Sequence, residues 1–323
     1  MQDRRPSPPG CPAGTPGQPG PAARDILARF GLDPARERPD LAPPGSPERC
    51  IERRVAEDAG GGLWLLERIA PAAAPRRERL GRLLAALEGA GLTRLLPYRP
   101  DTNGGYVLAA RGGCWQLSPF LPGAPLPAPD YASREEPGAD LGVFLADLRQ
   151  AAARAELPPG LEDFSQAAYV DRLLADAARR DPGVLPRLAR ARDRLAPFLE
   201  AEPGLPRVLS HGDLHPRNAV WREGRLAAAI DWEFAGFAHE LYDPAVTLGC
   251  LGMEDPGCFR RGAAAALLRT LRDRGVLTPA HAGLLRPAVA AARFGWLAEW
   301  LRRRDREMVE RELDFLDLLL ADA

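Results

Sequence analysis

Apolar and polar positions divide the chain into a strand-rich first third and a helix-rich remainder. Cys50–Glu57 and Leu63–Ile69 read as two strands joined by the turn Gly60-Gly61-Gly62. Next, Leu80, Leu83, Leu84 and Leu87 recur at the 3.6-residue period of an amphipathic helix over about 75–89, with Gly91 as its stop. Gly105–Ala110 and Cys114–Phe120 read as two further strands, parted by Arg111-Gly112-Gly113. Ahead of these, Ile26, Leu27 and Phe30 share one face of a short helix from Asp25 to about Gly31. Leu121-Pro122-Gly123-Ala124-Pro125-Leu126 reads as a connector. Helical periodicity then covers about 137–154, 165–181 and 184–201, and later about 258–275, 279–303 and 305–321. Residues 1–22 are mostly Pro, Gly and Ala, which offers little to bury and predicts a disordered tail.

The most informative stretch lies between the two helical runs. Val208 and Leu209 lead into the loop Ser-His-Gly-Asp-Leu-His-Pro-Arg-Asn at 210–218. Ala219-Val220-Trp221 and Leu226 to Ile230 read as a hairpin turning at Glu223-Gly224, and its second strand delivers Asp231 beside the loop. Kinase-type phosphoryl transfer needs a carboxylate to orient the acceptor hydroxyl, with an amide and a second carboxylate to hold magnesium. Asp213, Asn218 and Asp231 supply those groups in that order and spacing. The plain alternative is an Asp- and Asn-capped loop beside a solvent-facing hairpin.

The pattern His-Gly-Asp-Leu-His-Pro-x-Asn, then Ile-Asp-Trp-Glu, then Tyr-Asp-Pro-Ala resembles the aminoglycoside phosphotransferase and choline kinase-like superfamily. The resemblance is strongest over about 208–247 and weaker over about 48–155. It implies an α+β, bilobal protein kinase-like fold, with a small antiparallel-sheet N-lobe over 23–120 and a mostly helical C-lobe over 121–323. It further implies ATP and Mg2+, with Asp213 as catalytic base, His211 as support for the loop, and Asn218 and Asp231 as metal ligands. Glu233 sits where some members have an acid that touches a second ion, and Asp243 matches a structural aspartate. The adenine is expected near Phe120 and Leu121.

Such enzymes also place a cation on the third strand to meet the phosphates. Here either Glu67 or Arg68 could take that position. A carboxylate facing phosphates is strongly repulsive in a low-dielectric cleft, so Arg68 is the expected residue. For the acid on the following helix Glu78 is the nearest residue, and for the phosphate turn Pro44-Gly45-Ser46-Pro47 is the candidate. A kinase-like scaffold that binds nucleotide without transfer is the alternative activity.

Bulk composition narrows the partners. The 43 basic and 44 acidic side chains nearly cancel, so charge gives no reason to expect nucleic acid as a partner. No apolar run approaches the ~20 residues of a membrane span, and the first residues lack the apolar core of a signal peptide. Five dispersed cysteines without a Cys-x-x-Cys pair argue against a disulfide framework, and a reducing cytoplasm is expected. All 43 basic residues are arginine. His211 and His215 could in principle gather a transition metal, but no third His or Cys is close in sequence. A serine hydrolase is disfavoured because no Gly-x-Ser-x-Gly elbow is present. The partner is therefore expected to be a small hydroxylated molecule. Glu135, Glu136, Asp140, Glu233, Glu240 and Glu254 supply acid that would suit a cationic acceptor, though an alcohol such as homoserine or a sugar fits as well. Oligomeric state is left open.

Overall fold

Alternation along neighbouring strands decides which side of the first sheet is dry. The computed structural model describes residues 20–41 and 50–321, so positions 1–19 of the tail expected over 1–22 and the Pro44–Pro47 turn lie outside the described residues, while Pro21 and Ala22 begin the first helix instead. The chain forms two units, one drawn from Met1–Ala85 and Leu96–Pro122, the other from Ala86–Leu95 and Gly123–Ala323.

The first unit contains α1 (Pro21–Arg29), β1 (Pro34–Glu37), β2 (Glu52–Asp58), β3 (Leu63–Ile69), β4 (Leu108–Ala110), β5 (Gly113–Pro119) and α2 (Ala74–Gly89) as far as Ala85. Its five strands are antiparallel in the order β1-β2-β3-β5-β4. One face is covered by Ile26, Leu27, Phe30 and Leu32, which pack with Ala56, Leu66, Leu108, Trp115 and Leu117. Complete burial of a side chain such as Phe30 contributes about 1.5–3 kcal/mol. β4 is shorter than expected, and Glu78 supplies the reason. Its Oε2 accepts the N–H groups of Tyr106 (2.7 Å) and Val107 (3.0 Å), donors that a longer strand would have used in the ladder.

The second unit is mostly helical: α3 (Glu135–Arg154), α4 (Gln166–Arg180), α5 (Leu185–Ala201), then β6 (Arg207–Ser210), β7 (Ala219–Arg222), β8 (Arg225–Ala229) and β9 (Gly236–His239), and finally α6 (Tyr242–Glu254), α7 (Ala263–Asp273), α8 (Leu285–Arg303) and α9 (Arg306–Leu320). β6 pairs with β9, and β7 pairs with β8. Neither β9 nor α6 is expected from periodicity. Buried α6 is apolar on nearly all sides, with Pro244, Ala245, Val246, Leu248 and Leu251 inside, so it shows no polar stripe to mark a helical period. Gly138 of α3 lets α7 come close: a Cβ there would lie 1.8 Å from the Ala263 carbonyl oxygen. Asp140 ties α3 to the hairpin by accepting from Arg225 Nε (2.8 Å), Arg225 Nη2 (2.6 Å) and the Leu226 N–H (2.9 Å). Among the described residues no helix is long and apolar enough to cross a membrane.

One ion pair lies in the packed interior. Arg293 of α8 donates through Nε to Glu312 Oε2 of α9 at 3.0 Å, both side chains are almost fully buried, and Trp300 Nε1 adds a bond to Glu312 Oε1 at 3.2 Å. Removing one partner strands a charge in a low-dielectric site. Glu312→Ala is therefore expected to lose about 3–5 kcal/mol. Chemical denaturation will measure it, and the double replacement Arg293→Met, Glu312→Leu should recover most of that loss.

Candidate active site

At the end of β6 the chain must turn sharply, and Gly212 makes the turn. It has φ 87°, and a Cβ there would come 2.3 Å from the Phe234 carbonyl oxygen, so no other residue fits without moving the neighbouring segment. The two N–H groups exposed by the turn point at one carboxylate. Asp243, in the first turn of α6, accepts from His211 N (2.7 Å) and Gly212 N (2.9 Å).

His211 links the loop to the hairpin. Its Nε2 lies 3.1 Å from the Ile230 carbonyl and its Nδ1 3.4 Å from the Asp213 N–H, which fits a neutral ring donating from Nε2. Asn218 donates through Nδ2 to the Asp213 carbonyl (2.9 Å) and to Asp213 Oδ2 (2.8 Å), while its own carbonyl accepts the Ile230 N–H at 2.9 Å. Asp231 follows in the left-handed region with φ 63°. Loop and hairpin bonds thus tie Asn218 to Asp213 and, through the Ile230 N–H, to the residue before Asp231. Trp232 packs on the His211 ring, with centroids 4.5 Å apart.

The expected ligands Asn218 and Asp231 offer an amide oxygen and a carboxylate, and Asn218 Oδ1 accepts no hydrogen bond among the described residues. Among those residues no three His, Cys, Asp or Glu side chains form a metal-holding group. Hard oxygen donors without an all-protein cage fit magnesium, which keeps several water or substrate oxygens. They do not fit a zinc site, since His211 and His215 both use ring nitrogens in hydrogen bonds within the loop. Glu233, on the turn Trp232–Phe234, is not gathered with Asp213 and Asp231 into a three-carboxylate group.

A family model described as "Phosphotransferase enzyme family" matches residues 52–280. The chain belongs to the phosphotransferase enzyme family. It is 35% identical over 186 residues to a homoserine kinase of Caulobacter sp. (strain K31), covering 56% of each chain. It is 33% identical over 172 residues to a homoserine kinase of Phenylobacterium zucineum (strain HLK1), covering 52% of this chain and 51% of that protein. The chain spans about half the length of these two curated relatives. Among solved structures, macrolide 2'-phosphotransferase MphH from Brachybacterium faecium is 24% identical with TM-score 0.58, covering 92% of this chain and 97% of that one. Amicoumacin kinase hAmiN, solved with AMP-PNP, Ca2+ and Ami, is 16% identical with TM-score 0.64, covering 91% and 92%. At these identities the likeness shows the fold: the α+β phosphotransferase arrangement of an antiparallel-sheet unit and a helical unit.

In the sheet unit the expected cation is already engaged. Arg68 lies on the face covered by α1, with its guanidinium 5.9 Å over the Trp115 ring and Nη2 donating to the Gly112 carbonyl at 3.2 Å. The Arg68 guanidinium is thus engaged within the sheet unit, on the face opposite Glu67. Glu67 points the other way, is buried, and is paired with Arg53 Nε of β2 at 2.8 Å. Glu78, the nearest acid on α2, is taken up by the lead into β4. Phe120 and Leu121 follow β5, and the Phe120 N–H is already donated to the Leu63 carbonyl at 2.8 Å. The acids named for a cationic acceptor are also largely committed. Asp140 holds Arg225, Glu240 holds Arg149 at 2.5 Å, and Glu135 holds Arg269 at 2.7 Å.

Burial controls the ionisation around the loop. It pushes His211 down to about 4 and His239 to about 4, keeping both rings neutral, and it pushes Asp243 up to about 6 against the opposing effect of its two backbone N–H bonds. A depressed histidine contributes stability that is present above its unfolded value near 6.5 and is lost as pH falls through about 4. Asp243 acts with the opposite sign between 3.8 and about 6, so two groups oppose one and acidification is expected to destabilise the fold. His239 Nε2 bonds Gln166 Oε1 at 2.7 Å, and Nδ1 has no partner among the described residues for an added proton. The melting temperature should therefore fall from pH 6.5 toward pH 4, and His239→Gln should flatten that slope; parallel profiles would contradict the assignment. Asp243→Ala leaves two buried N–H groups unpaired, and a loss of about 2–5 kcal/mol in denaturant titration is expected.

Proposed function

We propose that the chain is an ATP- and magnesium-dependent phosphotransferase that moves the γ-phosphoryl group to a hydroxyl of a small molecule. The observation that carries this reading is the bond from Asn218 Nδ2 to Asp213 Oδ2 at 2.8 Å, which fixes one carboxylate oxygen and leaves the other to meet the acceptor hydroxyl. In this reading the Asp213 carboxylate takes the hydroxyl proton as the oxygen bonds to phosphorus and the ADP oxygen departs. Asn218 and Asp231 would hold the magnesium, which when bound neutralises charge on the phosphate oxygens. His211, neutral and buried, orients Asp213 without exchanging protons. The names of the curated relatives make homoserine the first acceptor to test.

A mass-detected phosphorylation assay with Mg-ATP and a panel of homoserine, choline, amino alcohols, aminoglycosides and macrolides tests the reading. One acceptor should gain a phosphate. Loss of a general base typically lowers rate by ~10²–10⁴, so Asp213→Ala should lose turnover by about that factor while nucleotide-induced thermal stabilisation persists. Unchanged ATP consumption in that variant would remove Asp213 from its role. The scaffold reading is favoured by the engagement of Arg68 with Trp115 and Gly112; nucleotide-induced stabilisation with no product across the panel would support it instead.

A further inference from the structure

Two charged side chains near the reacting loop are not required by the fold. Arg217 stands four residues after Asp213 and directly before Asn218. Its backbone is pinned, since the Arg217 N–H donates to His215 Nδ1 at 3.2 Å and the His215 ring meets Trp296 edge-on with centroids 5.2 Å apart. Its side chain is not. The side chain is 79% exposed, and its carboxylate partner, Glu254 Oε1, is 3.6 Å from Nη2. That separation is longer than the about 2.7–2.9 Å of a charge-assisted hydrogen bond, and such open surface pairs add little to stability.

Glu254 is unusual in a different way. It is the last residue of α6, where unsatisfied carbonyls disfavour negative charge. It is nevertheless held there. The buried Tyr131 side chain lies beside it, and burial together with the nearby carboxylate keeps that phenol protonated. Breaks of a local rule of this kind concentrate at functional sites. Asp140, Glu240 and Glu135 each hold an arginine tightly, whereas Glu254 holds Arg217 only loosely.

An anchored carboxylate and a swinging guanidinium, a few ångströms apart, match a ligand that carries both charges on one carbon. We propose that Glu254 and Arg217 read the α-ammonium and α-carboxylate of a hydroxy amino acid acceptor, and so determine which alcohols the site accepts. The inference rests on the phosphotransferase reading above. A site built to pair a group rejects the analogue that lacks it, because its own charge is then left unmatched.

Steady-state kinetics on the full chain test this with two acceptors: homoserine, and the amino alcohol in which hydrogen replaces its carboxyl group. Arg217→Gln is expected to raise the homoserine KM by about 10- to 100-fold, the effect of losing one charge-assisted contact. It should leave the KM for the amino alcohol and for ATP within about twofold, and Arg217→Lys should recover part of the loss. Glu254→Gln should weaken both acceptors, since both carry the ammonium. An unchanged homoserine KM in Arg217→Gln, an equal rise for both alcohols, or a shift in the ATP KM instead would overturn the inference alone. So would a wild-type enzyme that phosphorylates only alcohols without a carboxylate. A wild-type enzyme that phosphorylates no acceptor removes the phosphotransferase reading, and this inference with it.

Discussion

The reacting loop depends on one carboxylate. A strand that ends in a tight turn exposes N–H groups with no ladder partner, and buried N–H groups left unpaired cost about 1–3 kcal/mol each. Asp243 takes two of them, from His211 and Gly212, and does so from the first turn of α6, where the helix end favours negative charge. Burial still opposes its ionisation and pushes it up to about 6. The result is a rigid junction between β6 and α6. From it, the His211 ring reaches the Ile230 carbonyl, and Asn218 reaches both Ile230 and Asp213. The hairpin and the loop are aligned by these short polar links, so a change at Asp243 is felt at Asp213 without any contact between their side chains being needed.

Where elements show one wet and one dry face, the sequence makes them visible. The stripe Leu80, Leu83, Leu84 and Leu87 marks α2, and the Gly60-Gly61-Gly62 turn between two strand-like runs marks β2 and β3. α6 and β9 escape detection because they lie in the interior, where residues on every side are apolar and period carries no information. The loop motif was legible for another reason: its chemistry fixes residue type at fixed spacing. The anchoring pair Arg293–Glu312 was not, since 19 residues separate partners that only helix packing brings together.

Arginine carries all of the fixed positive charge, and this shapes the packing. The planar guanidinium can bind a carboxylate through two parallel N–H groups, and it is less strongly hydrated than an ammonium. Arg225 grips Asp140 in this way at a residue that is 4% exposed, and Arg293 grips Glu312 inside the helical unit. Buried acids are therefore tolerated here at positions where a lysine would have satisfied only one oxygen.

The same reasoning explains why Glu67 and Arg68 could not be assigned from one strand. Adjacent residues face opposite sides, and a shift of one residue exchanges them. The neighbouring strand decides. Arg53 stands directly across from Glu67 in the ladder and pairs with it, while Trp115 stands across from Arg68 and receives its guanidinium. A buried carboxylate needs a partner in a low-dielectric setting, and β2 supplies it. The positive charge on that face of the sheet is thus delivered by β2 rather than β3, which no reading of β3 alone could have found.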